Sequence, residues 1–433
     1  MTQLWQRVAR SLYAALLRVA LPWYLLRLWR RGAREPLYRH ALAERFGIYD
    51  GPTPAPGMLW LHAVSLGETR AALPLIEALR AQQPGLRLLL THGTATGRHA
   101  GQSMLRAGDA QAWLPYDTPG SARRFLTHFR PALGVLMETE LWPSLMREAE
   151  RARVPMVLAN ARLSERSARK GRRLAALLHP AARRLSLALA QTDADASRLR
   201  EAGTPQVLIE GNLKFDLTPA ANLLARGFAW RQALLRPVVM AANTRDGEEA
   251  ALLAAWHALP VPRPLLLLVP RHPQRFDAVA GLVAAKGMSL LRRSQWSQVL
   301  TADMTEQLRQ ADVCLGDSMG EMPLYYAMAD VALLGGSFEP LGGHNLIEAA
   351  ASGCPLVMGP HTFNFAQAAE QALAAGAAVR VDGMQAGVRL AVQACNDPRR
   401  AAWVQRALAF AAAHRGAAAQ MARRILALWP GKA

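Results

Sequence analysis

Cysteine is scarce: Cys314, Cys354 and Cys395 are the only three in 433 residues, far apart and without a CxxC pair. That excludes a disulfide framework and a zinc ribbon, and it fits a reducing compartment. Acidic residues are also few, 32 Asp and Glu against 51 Lys and Arg, which leaves a net charge of +19. A chain this basic implies an anionic partner: nucleic acid, a membrane surface or an acidic substrate. No GxxxxGK[ST], no GxGxxG after a strand and no HExxH occurs, so the familiar phosphate-loop, dinucleotide and zinc-protease sites are not signalled. A helix-turn-helix or aromatic RNP-like pattern is missing too, which leaves charge as the sole argument for a nucleic-acid binder.

Apolar residues make up 51% of the chain, so it is not disordered, and its length supplies two full hydrophobic cores. The most apolar N-terminal stretch, Leu12–Leu28, is interrupted by Arg18, Pro22 and Arg27, whereas a spanning helix needs about 20 mostly apolar residues. No small-residue cleavage site follows it. Gln3, Arg7, Arg10, Ser11 and Arg18 share one helical face, with Leu4, Leu12, Leu16 and Val19 elsewhere. This pattern predicts an interfacial helix lying in one leaflet of an anionic membrane, within an N-terminal segment 1–40. The competing expectation is an amphipathic helix packed on the protein itself.

From Met58 onward, short apolar runs alternate with helical patterns. Strands are expected at Met58–Val64, Leu86–Thr91, Ala112–Tyr116, Leu133–Met137, Met156–Ala159, Leu187–Gln191 and Val207–Glu210. A second series is expected at Val238–Ala242, Leu265–Val269, Ser289–Arg292, Val313–Gly316, Val331–Leu334, Leu356–Met358 and Val379–Val381. Such alternation makes parallel sheets, here an α/β chain of two doubly wound, Rossmann-like domains facing a cleft. The expected boundaries are 41–220 and 238–433, joined by an irregular linker 221–237. The Ala-rich tail Arg399–Leu428 reads as one or two helices.

Ligands of open parallel sheets bind at the carboxyl ends of strands, so chemistry is sought in the loops that follow them. His62–Thr69 offers Glu68. Ser65-x-x-Glu68 matches a capping box, which would start a helix at Leu66 and bury Pro74 in its interior, at about 3 kcal/mol. A helix starting near Thr69 avoids that cost and frees Glu68 for a cleft. The next strand exit of interest carries Glu138 and Glu140, two carboxylates in a basic chain, which are either functional or favoured by a helix dipole. Lys214 ends the first series. Asp193-x-Asp195 reads as a helix cap rather than a metal site.

In the second series, Pro270 and Pro273 stiffen a strand exit that holds Arg271, suited to fixed phosphate recognition. Met319, Gly320 and Glu321 precede an apolar helix whose free N–H groups suit an oxyanion. The densest run is Gly335–Ala351. Gly342 and Gly343 are expected to let backbone approach a ligand. Asn345 and Glu348, three apart, share the first turn of a helix that also contains Leu346 and Ile347.

The ordered stretches HAVSLGE, METELWP, GNLKFD, VPRHP, GDSMGE, GGSFEPLGGHN and MGPHTFNF resemble the 3-deoxy-D-manno-octulosonic acid (Kdo) transferases of lipopolysaccharide synthesis. The resemblance implies the GT-B fold and transfer of Kdo, with inversion, from CMP-Kdo to the 6′-hydroxyl of a lipid A precursor (lipid IVA). The place implied is the cytoplasmic face of the inner membrane. It further implies Glu68 as general base, and Glu138 or Glu140 with Lys214 stabilising the transition state. CMP would be held by Pro270, Arg271, Met319–Glu321 and Asn345–Glu348, with no metal or other cofactor and no nucleic acid. The alternatives are another GT-B enzyme using a different nucleotide sugar on a membrane acceptor, and a non-enzymatic membrane scaffold. The scaffold leaves the glycine loops unexplained.

Overall fold

The computed structural model describes residues 3–429; the two residues before and the four after, ends of the expected N- and C-terminal segments, lie outside the described residues, as does the side chain of Gln3. The chain forms two units, one from Met1–Leu217 with Gly416–Ala433, the other from Thr218–Arg415.

In the first unit the strands are β1 (Leu59–His62), β2 (Leu88–His92), β3 (Ala110–Trp113), β4 (Leu133–Met137), β5 (Met156–Ala161), β6 (Leu187–Ala190) and β7 (Val207–Ile209). They form one parallel sheet in the order β3-β2-β1-β4-β5-β6-β7. Strands of such a sheet are covered on both faces, which is why β1 is buried at every position. Leu59 and Leu61 point to one core, with Leu75, Ile76 and Leu79. Trp60 points to the opposite one, with Phe125 and Leu145. The chain reverses direction of travel across the sheet between β1 and β4, and such a switch point opens a crevice beyond the strand ends. The loops carrying Glu68 and Glu138 leave there.

The second unit repeats the design with β8 (Val238–Thr244), β9 (Leu265–Pro270), β10 (Leu290–Arg292), β11 (Val313–Leu315), β12 (Val331–Leu334), β13 (Leu356–Met358) and β14 (Ala378–Arg380). Their order is β10-β11-β9-β8-β12-β13-β14, so the switch lies between β8 and β12. The glycine loop leaves β12 at that point.

Three expectations are corrected. The stretch 221–237 is not an irregular linker: Ala221–Leu234 is a helix of the second unit, with Trp230 and Leu234 buried. Gly227 disguised it. A Cβ there would meet the Leu324 backbone and sit 2.7 Å from the Ala327 Cβ, so glycine is what lets this helix lie against Met322–Met328. Arg231 is paired with Asp330 at 2.7 Å. The second domain also does not run to the C-terminus. The helix Ala417–Leu426 returns to the first unit, burying Met421 and Ile425 in its core. Asp216 accepts hydrogen bonds from the N–H groups of Gly416 (2.5 Å) and Ala418 (2.7 Å), fixing the start of that helix. The third correction is the helix α2, Leu66–Gln82, which starts at Leu66 and runs through Pro74. Proline costs about 3 kcal/mol in a helix interior, but full burial of side chains such as Leu75, Ile76 and Leu79 is worth about 1.5–3 kcal/mol each. Packing therefore outweighs the proline.

The N-terminal segment is one helix, α1, Gln3–Arg31, with Pro22 inside it. Tyr13 anchors it to the body by donating to Asp117 at 3.0 Å, and Leu28 is buried. No described helix is long and apolar enough to cross a membrane. Trp5, Val8, Leu12, Leu16, Val19, Trp23 and Leu26 nevertheless form an exposed stripe at three- and four-residue spacing, with Val19 80% and Trp23 73% exposed.

Candidate active site

The first unit gathers its four candidate residues at the switch point. Glu68 sits in the first turn of α2. Ser65 is the cap and its Oγ accepts from the Glu68 N–H at 3.4 Å. The Glu68 carboxylate accepts from the Val64 N–H at 2.8 Å and the Ser65 hydroxyl at 2.9 Å. The capping arrangement that the cost of Pro74 argued against is therefore formed, and both carboxylate oxygens take part in it. Burial raises the Glu68 pKa; the Val64 and Ser65 hydrogen bonds oppose this, Glu138 adds to it and Lys214 counters it. Glu138 and Lys214, each on a different loop, thus lie within electrostatic reach of Glu68.

Glu138 follows β4 with φ of 60°, a left-handed conformation costly for a residue with a Cβ. Its N–H donates to the Ala159 carbonyl at 2.9 Å and its own carbonyl accepts from Arg162 N–H at 3.2 Å, which hold the loop in that shape. Lys214 lies on a short 3-10 turn, Leu213–Asp216. Residues that sequence reasoning passed over place it. Asn160, fully buried, accepts from the Leu213 N–H at 3.1 Å, and Gln191 donates to the Asn160 carbonyl at 2.9 Å. Asn212 donates to Gln191 Oε1 at 3.0 Å and accepts from the Lys214 N–H at 3.0 Å. An asparagine inside the apolar run Met156–Ala161 was the available signal.

The second unit collects positive charge at its own switch point. Arg271 is exposed just past β9, its N–H donating to the Thr244 carbonyl at 2.9 Å, and Pro270 before it is buried. His344 is held down to about 4 by burial, then by Arg271, Arg245 and His272. Four cationic or potentially cationic groups thus lie within electrostatic reach at one set of strand ends, an arrangement that favours an anion. Arg245 and His344 were not assigned a role from sequence. Nor was Glu248, 1% exposed, which accepts from the N–H groups of Arg245 (2.9 Å), Gly336 (2.7 Å) and Phe338 (3.2 Å) and so pins the glycine loop.

The other donor-side candidates differ in what they present. Met319 is 65% exposed and Gly320 is exposed beside it. The Glu321 carboxylate is committed to Arg226, to Arg293 at 2.9 Å and to the Ser318 hydroxyl at 2.5 Å, so its side chain serves the protein. Asn345 accepts from the Ile347 N–H at 3.2 Å. The side chains of Leu346 and Ile347 are buried, which leaves only their backbone to a ligand, while Glu348 is half-buried in the short helix Ile347–Ala351. At Gly342, where φ is 90°, a Cβ would sit 2.6 Å from Asn364 Cγ, so the loop's own packing requires glycine there. The helix Asp193–Glu201 is capped by Thr192, which accepts from the Asp195 N–H at 2.9 Å. The Asp195 carboxylate accepts from the Leu163 N–H at 2.9 Å and the Thr192 hydroxyl at 2.7 Å, so it serves the helix start without itself being the cap.

Residues 40–217 match the family model of 3-deoxy-D-manno-octulosonic-acid transferase (kdotransferase). The chain is 46% identical to the 3-deoxy-D-manno-octulosonic acid transferase of Bordetella pertussis, over 95% of this chain and 97% of that one. The chain belongs to the Kdo transferase family. The Haemophilus influenzae transferase is 38% identical over 82% of this chain and 83% of its own length. Anabaena Alr3699/HepE, solved in complex with UDP, covers 86% of this chain and 99% of its own with a TM-score of 0.58 at 15% identity, a likeness of fold alone. The protein is thus a glycosyltransferase of GT-B fold.

Among the candidate acids of this Kdo transferase family member, Glu140 is strongly perturbed. Burial, then Glu68, pushes it from 4.5 up to about 7, with Trp142 opposing and Glu138 adding. The folded protein therefore keeps this proton to about pH 7, whereas the unfolded chain releases it near 4.5. The contribution to stability is full below 4.5 and is lost as pH rises through 7. Relative to the wild type, Glu140→Gln is expected to gain about 2 kcal/mol between pH 5 and 8, allowing for solvent screening at this partly exposed group. Parallel melting curves across that range check it; equal pH slopes would refute it.

Proposed function

We propose that the protein transfers Kdo from CMP-Kdo to the 6′-hydroxyl of a lipid A precursor (lipid IVA), with inversion, at the cytoplasmic face of the inner membrane. The observation that carries this reading is the meeting of Glu68, Glu138, Glu140 and Lys214 at the first unit's switch point in a chain of this family. The acceptor oxygen attacks the anomeric carbon, its proton passes to Glu68, and the bond from that carbon to the CMP phosphate breaks. A sugar hydroxyl is a poor nucleophile at neutral pH, so a base held by two hydrogen bonds at the reacting atom is worth about 10²–10⁴-fold. Lys214 stabilises negative charge beside the reacting carbon. The donor is an anion through both its phosphate and its carboxylate, and Arg271, Arg245 and the flanking histidines suit it. Glu348 is the acceptor for ribose hydroxyls.

Product mass after incubation with CMP-Kdo and a bisphosphorylated, tetra-acylated glucosamine disaccharide tests the reaction, and competition by CMP but not UDP tests the donor. Arg271→Lys and Glu348→Gln are each expected to weaken CMP binding by roughly ten- to a hundredfold, the worth of one charge-assisted hydrogen bond. Unchanged CMP affinity in a folded variant moves the nucleotide elsewhere.

The exposed stripe of α1 supports a helix lying in one leaflet, with Arg18, Arg27 and Arg30 exposed beside it for lipid phosphates. Replacing Leu12, Leu16, Val19 and Trp23 by serine is expected to shift most of the protein from vesicles of anionic phospholipid to the supernatant. Partial release of the wild type by high salt is also expected, because phosphate contacts are screened. Unaltered sedimentation of the quadruple variant would sink the idea.

A further inference from the structure

A cavity of about 390 Å³ opens between α1 and the carboxyl end of the first unit's sheet. Its α1 wall is mainly apolar, with Leu17, Ala20, Leu21, Tyr24 and Leu28, and ends in Arg31. Its opposite wall includes Val64 and Trp142, from the same two loops that carry Glu68 and Glu140. Val64 is the residue whose N–H holds the Glu68 carboxylate at 2.8 Å. The cavity thus runs from a helix with an exposed apolar stripe to the backbone that aims the candidate base.

Buried in its lining is a charge without a counter-ion. Arg45 is 3% exposed, lines the cavity, and stacks over Trp113 with its guanidinium carbon 4.0 Å from the ring centre. Its guanidinium donates a long hydrogen bond, 3.4 Å, to the Gly93 carbonyl, and its Nε has no partner. No ion pair of the described residues includes it. The neighbouring acid, Glu44, is taken by Arg98 at 2.6 Å and by the Trp113 N–H at 2.8 Å. The one carboxylate in the lining, Asp117, already accepts from Tyr13 and from the N–H groups of Ser144 and Leu145. Burying an unpaired charge is costly, and stacking on an aromatic ring offsets only about 2 kcal/mol. His62, fully buried in the same lining, turns Nδ1 to Thr91 and leaves Nε2 without a partner. An anion on Arg45 and a hydroxyl on His62 complete both groups.

We propose that this cavity is the acceptor subsite, receiving a phosphate of the glycolipid on Arg45 and the start of one of its acyl chains along Leu17, Leu21 and Leu28. The assignment rests on the proposed transfer of Kdo to a phosphorylated glycolipid. It gives α1 a second role, because the helix that lies on the membrane also forms one side of the passage by which a lipid substrate leaves the bilayer for Glu68. An apolar chain and a phosphate are the two features that the two walls select.

The test uses the full-length protein, three variants and three acceptors: the bisphosphorylated, tetra-acylated disaccharide, its deacylated form and its dephosphorylated form. Arg45→Met keeps an apolar stem on Trp113 and removes the charge. It is expected to raise KM for both phosphorylated acceptors at least tenfold, with kcat within about threefold and CMP affinity unchanged, and to leave the dephosphorylated acceptor unaffected. Arg45→Lys restores part of the loss. Ala20→Trp, at an exposed helix position facing the cavity, is expected to raise KM tenfold for acylated acceptors and to leave the deacylated one unchanged. A merely structural role would move all three acceptors together, and that outcome overturns the proposal, as does an unchanged KM in Ala20→Trp. Should Arg45→Met fail to fold, the Ala20→Trp arm decides. Direct binding of the acylated disaccharide without donor separates the subsite from the chemistry: wild-type binding abolished by Ala20→Trp upholds the subsite even where no Kdo is transferred. If phosphatidylglycerol vesicles displace the disaccharide as well as unlabelled disaccharide does, the cavity is a site for bilayer lipid and the proposal fails.

Discussion

Glu68→Gln is expected to lose at least about 10²-fold in turnover while binding CMP with near-normal affinity. The amide keeps an oxygen for the Val64 N–H, which the carboxylate now accepts at 2.8 Å, and its NH₂ meets the Ser65 hydroxyl in the reverse sense. The cap is therefore mostly preserved, and its partial loss costs about 1 kcal/mol. The proton acceptor is gone altogether. Because the same carboxylate caps α2 and serves as the proposed base, stability and chemistry have to be measured on one sample. A drop in melting temperature with intact turnover per folded molecule would leave Glu68 a cap and move the base to Glu138 or Glu140. Ser65→Ala is the complementary variant. It keeps the base but removes one of the two hydrogen bonds that aim it, so a smaller loss of turnover is expected, accompanied by a similar loss of stability.

Gly227→Ala is expected to destabilise the second unit by about 1–3 kcal/mol, the usual range for overpacking. The sign is the informative part. In a helix exposed to water, replacing glycine by alanine stabilises by about 1 kcal/mol. Here the new methyl would lie 2.7 Å from the Ala327 Cβ and nearer still to the Leu324 carbonyl, well inside carbon contact distance. Backbone on the partner helix cannot move aside as a flexible side chain would. The paired guanidinium of Arg231 on Asp330 would be displaced with it. Urea unfolding followed through Trp230 reads the second unit, and CMP binding should weaken as that unit loosens. An increase in stability would show that the helix Ala221–Leu234 does not sit on Met322–Met328.

Strand positions were legible because periodicity and chain breakers are local. Leu133–Met137, Val331–Leu334 and Leu356–Met358 occur as read, and the other strands shift at their ends. The position of the candidate loops was legible for the same reason, since a loop that leaves a parallel strand emerges at the carboxyl end of the sheet, where ligands of such sheets bind. The helix at 221–234 was not. Its glycine weakens the pattern, and the compensation lies a hundred residues away. The start of α2 is hidden in the sequence because the cost of Pro74 is visible there, whereas the burial of Leu75, Ile76 and Leu79 that outweighs it is not.

The sequence by itself determined the two series of parallel strands, the order of the chemically loaded loops and the family. Each of these is written in short-range pattern and in the residues themselves. Only the tertiary structure decided that the last helix returns to the first unit through Asp216, and that Asn160, Gln191 and Asn212 set the place of Lys214. It alone showed that Glu248 holds the glycine loop and that Arg45 lies buried with no acid partner among the described residues. These are facts about hydrogen bonds and charges between residues distant in sequence. Their energies depend on burial and on which partner arrives first, and neither is encoded at the position where the residue stands.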